Sequence, residues 1–124
     1  MDRITSTQNP RVKALRALRQ RKHRTREGQY LIEGIRIVNE ALDLGAPLET
    51  LVYAPDLLVS ERAQALVERV EPARRLVLAA EVFATLSDRD QPQGIAAVMR
   101  IQEPTLQELP LSPDLLVLVA VQLR

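Results

Sequence analysis

Between residues 30 and 100 this chain alternates short apolar runs with segments of helical periodicity, and most changes of pattern fall at a glycine or a proline. The run 30–33 ends at Gly34, where Ile35, Val38 and Leu42, together with Ile37, Ala41 and Leu44, begin a helix over 35–44 with two apolar faces. Gly45 and Pro47 stop that helix, and 48–54 reads as the next strand. Ser60 caps a third helix whose Ala63, Leu66, Val67 and Val70 recur at helical spacing up to Pro72. A strand over 75–79, a short helix over 80–87 and a strand over 94–100 complete the unit. Strands that alternate with helices pack in layers, so the expectation is α/β: a three-layer α/β/α sandwich with a mostly parallel central sheet. At 124 residues the chain is one domain's worth.

Ahead of this unit, Asn9 and Pro10 form a strong helix start, because the Asn side chain can accept from an orphan N–H and Pro at the first position loses no needed donor. The expected basic helix spans 10–22. Its apolar stripe is only Val12, Leu15 and Leu18, which predicts a light hold on the rest of the domain. At the other end, 102–113 contains Pro104, Pro110 and Pro113 and has linker composition, and 115–123 reads as a strand buried on both faces. These patterns divide the chain into a domain over 1–101, with a basic arm over 1–26, a linker over 102–113, and a last strand over 114–124.

Charge is unevenly spread. Nine of the first 26 residues are Lys or Arg, opposed only by Asp2, which makes the arm +8, while residues 27–124 sum to −7. A basic arm on an acidic body points to a polyanionic partner. A membrane surface is disfavoured, since no Trp or Phe accompanies the arm's three apolar residues, and no run approaches the ~20 residues that span a bilayer. The arm is also Arg-rich and acid-poor in the manner of a transit peptide.

Catalytic and metal-binding chemistry is sparse. There is no cysteine, so no disulfide, thiol nucleophile or thiolate metal site, and the single His23 is best placed in the basic surface. Gly28, Gly34, Gly45 and Gly94 form neither a dinucleotide fingerprint nor a P-loop. Glu61, Glu68 and Glu71 read as surface charge, and Tyr30, Tyr53 and Phe83 form no stacking platform for successive bases. Recognition is therefore expected to run through phosphate contacts and RNA shape. A second candidate contact is the strand-to-helix turn at Glu33, Gly34, Ile35 and Arg36, where glycine permits close backbone approach and the helix start favours an anion. The plainer alternative is a tight turn with Arg36 paired to Glu40.

Three blocks of sequence carry a resemblance: Ile4-Thr-Ser-Thr-Gln-Asn-Pro-Arg-Val-Lys13 leading into the basic helix, Tyr30-Leu-Ile-Glu-Gly-Ile-Arg-Ile-Val-Asn-Glu-Ala-Leu42, and Leu86-Ser-Asp-Arg-Asp-Gln-Pro-Gln-Gly94. Together they resemble the N-terminal substrate-binding domain of the SpoU/TrmH family of RNA ribose 2′-O-methyltransferases, and the likeness displaces the transit-peptide reading. It implies a domain similar to the ribosomal proteins that bind kink-turn RNA, joined to a catalytic domain whose knotted end binds S-adenosylmethionine. Asn9, Lys13, Glu33, Gly34, Arg36, Gln93 and Gly94 match family positions, and Arg11, Arg16, Arg19, Lys22, Arg24 and Arg26 are inferred as RNA contacts from charge.

Residues 115–122 resemble the opening strand of the catalytic domain, so the resemblance implies a chain truncated before its catalytic and cofactor segments. The expectation is an RNA-recognition domain that binds no cofactor and no metal and is inactive alone. Its parent would be a cytoplasmic, S-adenosylmethionine-dependent rRNA or tRNA 2′-O-methyltransferase, homodimeric through the missing domain. The rivals are a free-standing, non-enzymatic kink-turn-type RNA-binding protein and a protein-interaction module that pairs through its last strand.

Overall fold

The computed structural model describes residues 3–101, as helices α1 (Pro10–Ala17), α2 (Arg21–Glu27), α3 (Ile35–Asp43), α4 (Glu61–Glu68) and α5 (Ala80–Ala84) and strands β1 (Gln29–Glu33), β2 (Leu48–Tyr53), β3 (Arg75–Val77) and β4 (Ile95–Arg100). The expected linker over 102–113 and the strand over 114–124 lie outside the described residues.

The last strand is the organising one. The sheet order is β1-β4-β2-β3, so β4 pairs on both edges, and its first five residues are all buried. Its side chains alternate strictly: Ile95, Ala97 and Met99 join one apolar cluster with Val38 and Ala41 of α3 and Ala63, Leu66 and Val67 of α4. Ala96 and Val98 join a second with Val12 and Leu15 of α1 and Val82 and Phe83 of α5. Two helical layers thus enclose the sheet, as a period-2 strand with both faces apolar requires.

Strand direction differs from the expectation of a mostly parallel sheet. β4 runs antiparallel to both β1 and β2, with Gln29 opposite Arg100 and Tyr53 opposite Ile95, and only β2 and β3 are parallel. The sheet is mixed. The reason lies in α5, whose five residues rise only roughly 7.5 Å and cannot carry the chain back along the sheet as a parallel crossover needs. The chain reverses near the end where β3 stopped and fills the gap between β1 and β2. A register shift between Leu48 and Thr50 explains why Leu48 and Leu51, three residues apart, share one face.

The basic segment also departs from its expected form. Asn9 Oδ1 accepts from Arg11 N at 2.8 Å and Pro10 opens α1, as anticipated, but the helix ends at Ala17 and a separate α2 begins at Arg21. The apolar stripe ends at Leu18, and α2 (Arg-Lys-His-Arg-Thr-Arg-Glu) has no apolar residue to keep it on the same axis against the core. Arg24 Nη1 donates to the carbonyls of Leu18 at 3.2 Å and Arg19 at 2.9 Å, which satisfies backbone acceptors where α1 stops. Gly28 then closes α2 at φ 68.

The hold of α1 is strong. Val12, Leu15 and Leu18 are all buried, and Ile4 adds a parallel bridge outside β3, with Ile4 N donating to Val77 O and Ala79 N to Ile4 O, both at 2.9 Å. What charge alone marks as an arm is a layer of the core.

Candidate nucleic-acid interface

The turn after β1 is built around Gly34, which takes φ 120 and ψ 150 and donates its N–H to Ile95 O at 2.9 Å. The backbone conformation disfavours any side chain there, and a Cβ would sit 2.6 Å from Arg89 Nη2 and push that guanidinium aside. The next residue begins α3, and its free N–H is taken by a side chain from far along the chain: Ile35 N donates to Gln93 Oε1 at 2.8 Å. Two of the segments singled out in the sequence, 33–36 and 86–94, therefore form one structural unit.

Glu33 ties them further. Ser87 Oγ donates to its carboxylate and accepts from Arg89 N at 3.0 Å. Arg89 Nη2 donates to Glu33 O at 3.0 Å, and Arg89 Nε lies 4.0 Å from Glu33 Oε2. Glu33, at 17% side-chain exposure, is thus held by a hydroxyl and a guanidinium. Gly94 closes the loop at φ 85, with room for no Cβ because Leu57 Cβ would lie 2.6 Å away.

The expected RNA-binding cations fall into two groups. Arg11, Lys13 and Lys22 are exposed and, with Arg21, have no ion-pair partner among the described residues. Arg26 is exposed as well, with its Nε 3.3 Å from Glu27 Oε1 and its Nη2 2.6 Å from His23 Nδ1. Arg36 is exposed on the first turn of α3. In contrast, Arg16 donates to Thr7 O at 2.8 Å and Thr85 Oγ1 at 3.2 Å, Arg19 donates to Leu86 O at 3.0 Å and pairs with Asp88, and Arg24 binds the α1 carbonyls already described. These three guanidiniums fasten α1, α2 and the loop after α5 together.

Arg19 and Arg24 also line an open groove of about 410 Å³ between α1, α2, β1 and that loop, whose walls are Leu18, Arg19, Arg24, Leu31, Glu33, Leu86, Asp88 and Arg89. The groove joins the basic helices to the Gly34 turn. Ser87, Asp88 and Arg89 are absent from the sequence-derived set of contacts, although they lie in the 86–94 block that carries the resemblance and form a polar Ser-Asp-Arg run directly after an apolar helix. Among the described residues there is no group of three or more His, Cys, Asp or Glu able to hold a metal ion, and no helix is long and apolar enough to cross a membrane.

Known proteins resemble this arrangement along most of its length. A solved RNA 2′-O ribose methyltransferase shares 38% identity over 91% of this chain and 43% of its own, with a TM-score of 0.75. The SpoU methyltransferase AviRb from Streptomyces viridochromogenes, solved in complex with AdoMet, shares 27% identity with a TM-score of 0.71, over 85% of this chain and 40% of its own. A 23S rRNA (uridine(2479)-2′-O)-methyltransferase of the same organism is 30% identical over 92% of this chain and 40% of its own length. The chain thus spans about 40% of the curated relatives it matches. Residues 9–97, from the cap of α1 into β4, match the MRM3-like substrate binding domain, and the chain belongs to that family, the substrate-binding domain of SpoU/TrmH-type RNA methyltransferases.

Proposed function

We propose that this chain is the RNA-recognition domain of a ribose 2′-O-methyltransferase acting on ribosomal or transfer RNA. The observation that carries the reading is the gathering of cations on one segment: Arg11, Lys13, Lys22 and Arg26 are exposed on α1 and α2, and Arg19 and Arg24 of the same segment line a groove that they share with Glu33 and Arg89 beside the Gly34 turn. The helices supply phosphate attraction, which is independent of sequence, and the rigid turn, pinned by Gln93 and Arg89, supplies shape selection.

Methyl transfer in the parent would draw on S-adenosylmethionine, the cofactor bound in the AviRb structure. The described residues do not fit that cofactor. Their four glycines are single residues at separate turns, and five of the eight residues around the groove are charged, so no backbone cradle faces an adenosine or a sulfonium. This supports assigning the cofactor to the part of the relatives' length that the chain does not span, and the proposal places a homodimer interface there as well. A cytoplasmic location follows from the same reading. Residues 1–101 are the recognition domain in this scheme.

Filter binding to 23S ribosomal RNA transcripts across a salt series tests the proposal. Affinity should fall log-linearly with salt, and replacing Arg11, Lys13 and Lys22 by Ala should flatten the slope by roughly 0.7 to 0.9 for each lost phosphate contact. An unchanged slope, or no RNA binding at low salt, overturns it.

A further inference from the structure

We infer that the groove between α2 and the loop after α5 is a seat for an RNA backbone phosphate, and that the Asp88 carboxylate is a stand-in which the phosphate displaces. The inference rests on the RNA-binding reading and assigns chemistry to a site within it.

Three guanidiniums from separate parts of the chain converge there: Arg19 after α1, Arg24 on α2 and Arg89 on the loop. Each is fixed by backbone oxygens before any ligand arrives, Arg19 by Leu86 O, Arg24 by Leu18 O and Arg19 O, and Arg89 by Glu33 O. Preset forks of this kind suit bidentate recognition of a phosphate. Leu18, Leu31 and Leu86 form the apolar part of the wall, which strengthens charge interactions inside the groove.

Arg24 carries the second observation. Its Nε is buried and has no hydrogen-bond partner among the described residues, although the same guanidinium satisfies two carbonyls through Nη1. A buried donor left open is rare and costly, and a small turn of the Arg24 side chain toward the groove would give it a phosphate oxygen as acceptor.

The anionic side of the groove is unequal. Glu33 is held by Ser87 and Arg89 and is 17% exposed, so it is part of the frame. Asp88 pairs with Arg19 but its side chain is 83% exposed, so that pair is of the exposed class that contributes little. A carboxylate and a phosphate offer a guanidinium the same pair of acceptor oxygens, and Asp88 can exchange into water with small loss. Its departure would raise the groove from one net positive charge to two.

The experiment is filter binding of the full chain and its variants to a 23S ribosomal RNA transcript, with circular dichroism melting as a control for folding. Asp88→Asn should bind roughly two- to fivefold more tightly, the size of an exposed ion pair, and should steepen the salt dependence. Asp90→Asn, which removes an equal charge two residues on, should leave affinity unchanged, and the gain from Asp88→Asn should vanish in an Arg19→Ala background. Arg24→Lys, which keeps the charge and removes the planar fork, should weaken binding with the melting temperature retained; if it melts early, the Asp88 series alone decides. Equal gains from Asp88→Asn and Asp90→Asn, or weaker binding by Asp88→Asn, overturn the inference while the RNA-binding reading stands. Failure of the wild-type chain to bind RNA at low salt overturns both.

Discussion

Gln93 Oε1 accepts the backbone N–H of Ile35 at 2.8 Å, so the first turn of α3 is capped by a side chain 58 residues away. Helix starts are normally satisfied by their own Ser, Thr, Asp or Asn, and Gly34 has no side chain to offer. Gln93→Ala should therefore cost about 0.5–1.5 kcal/mol, the range of one net hydrogen bond, and lower RNA affinity by loosening the turn. Urea unfolding read alongside filter binding checks it. Retained affinity would separate the cap from recognition.

Gly34→Ala should be more severe. The backbone at φ 120 is unfavourable for any L side chain, and the new Cβ would meet Arg89 Nη2 at 2.6 Å. A loss of about 1–3 kcal/mol is expected from the backbone alone. Adding Arg89→Ala should recover only the steric part, which a double-mutant cycle by chemical denaturation measures.

Leu15→Ala tests the role of α1. Leu15 is 7% exposed and packs in the cluster with Phe83 and Val98. Truncation should destabilise the whole domain by about 2–5 kcal/mol. A basic arm that only touches the surface would give under about 0.5 kcal/mol.

Burial pushes the Tyr30 hydroxyl above its ordinary value of 10.0. The folded chain then holds the phenolic proton more tightly than the unfolded chain does. That contribution is fully present below pH 10.0 and is lost as pH rises through the folded value. Wild-type stability should fall faster than that of Tyr30→Phe above about pH 10, as measured by urea midpoints from pH 8 upward.

A chain ending at residue 101 should unfold cooperatively as a monomer, because both faces of the sheet are already covered by α1, α5, α3 and α4. Circular dichroism and hydrodynamic size decide it. A molten or insoluble product would mean that residues beyond 101 belong to the same core.

Features that depend on near neighbours are legible in the chain alone. Asn9 and Ser60 cap their helices as their positions predict, Gly45 and Pro47 stop α3, and the apolar run 95–99 after Gly94 reads as a strand. Each of these is settled within a few residues by hydrogen-bond geometry or side-chain period. The layer architecture follows, and so does the concentration of charge before residue 27. Strand direction does not, because a strand buried on both faces has the same pattern whichever way it runs, and only the short reach of α5 turned β4 antiparallel. The division of the basic residues was equally hidden. Spacing along the helix cannot separate exposed Lys13 from Arg19 and Arg24, which turn to carbonyls, since charge is visible in a sequence and its partner is not. The same holds for the unit of Glu33 with Ser87 and Arg89, whose hydrogen bonds join residues 54 and 56 apart. Contacts at that separation exist only once the sheet has brought the end of β1 beside the loop that leads into β4.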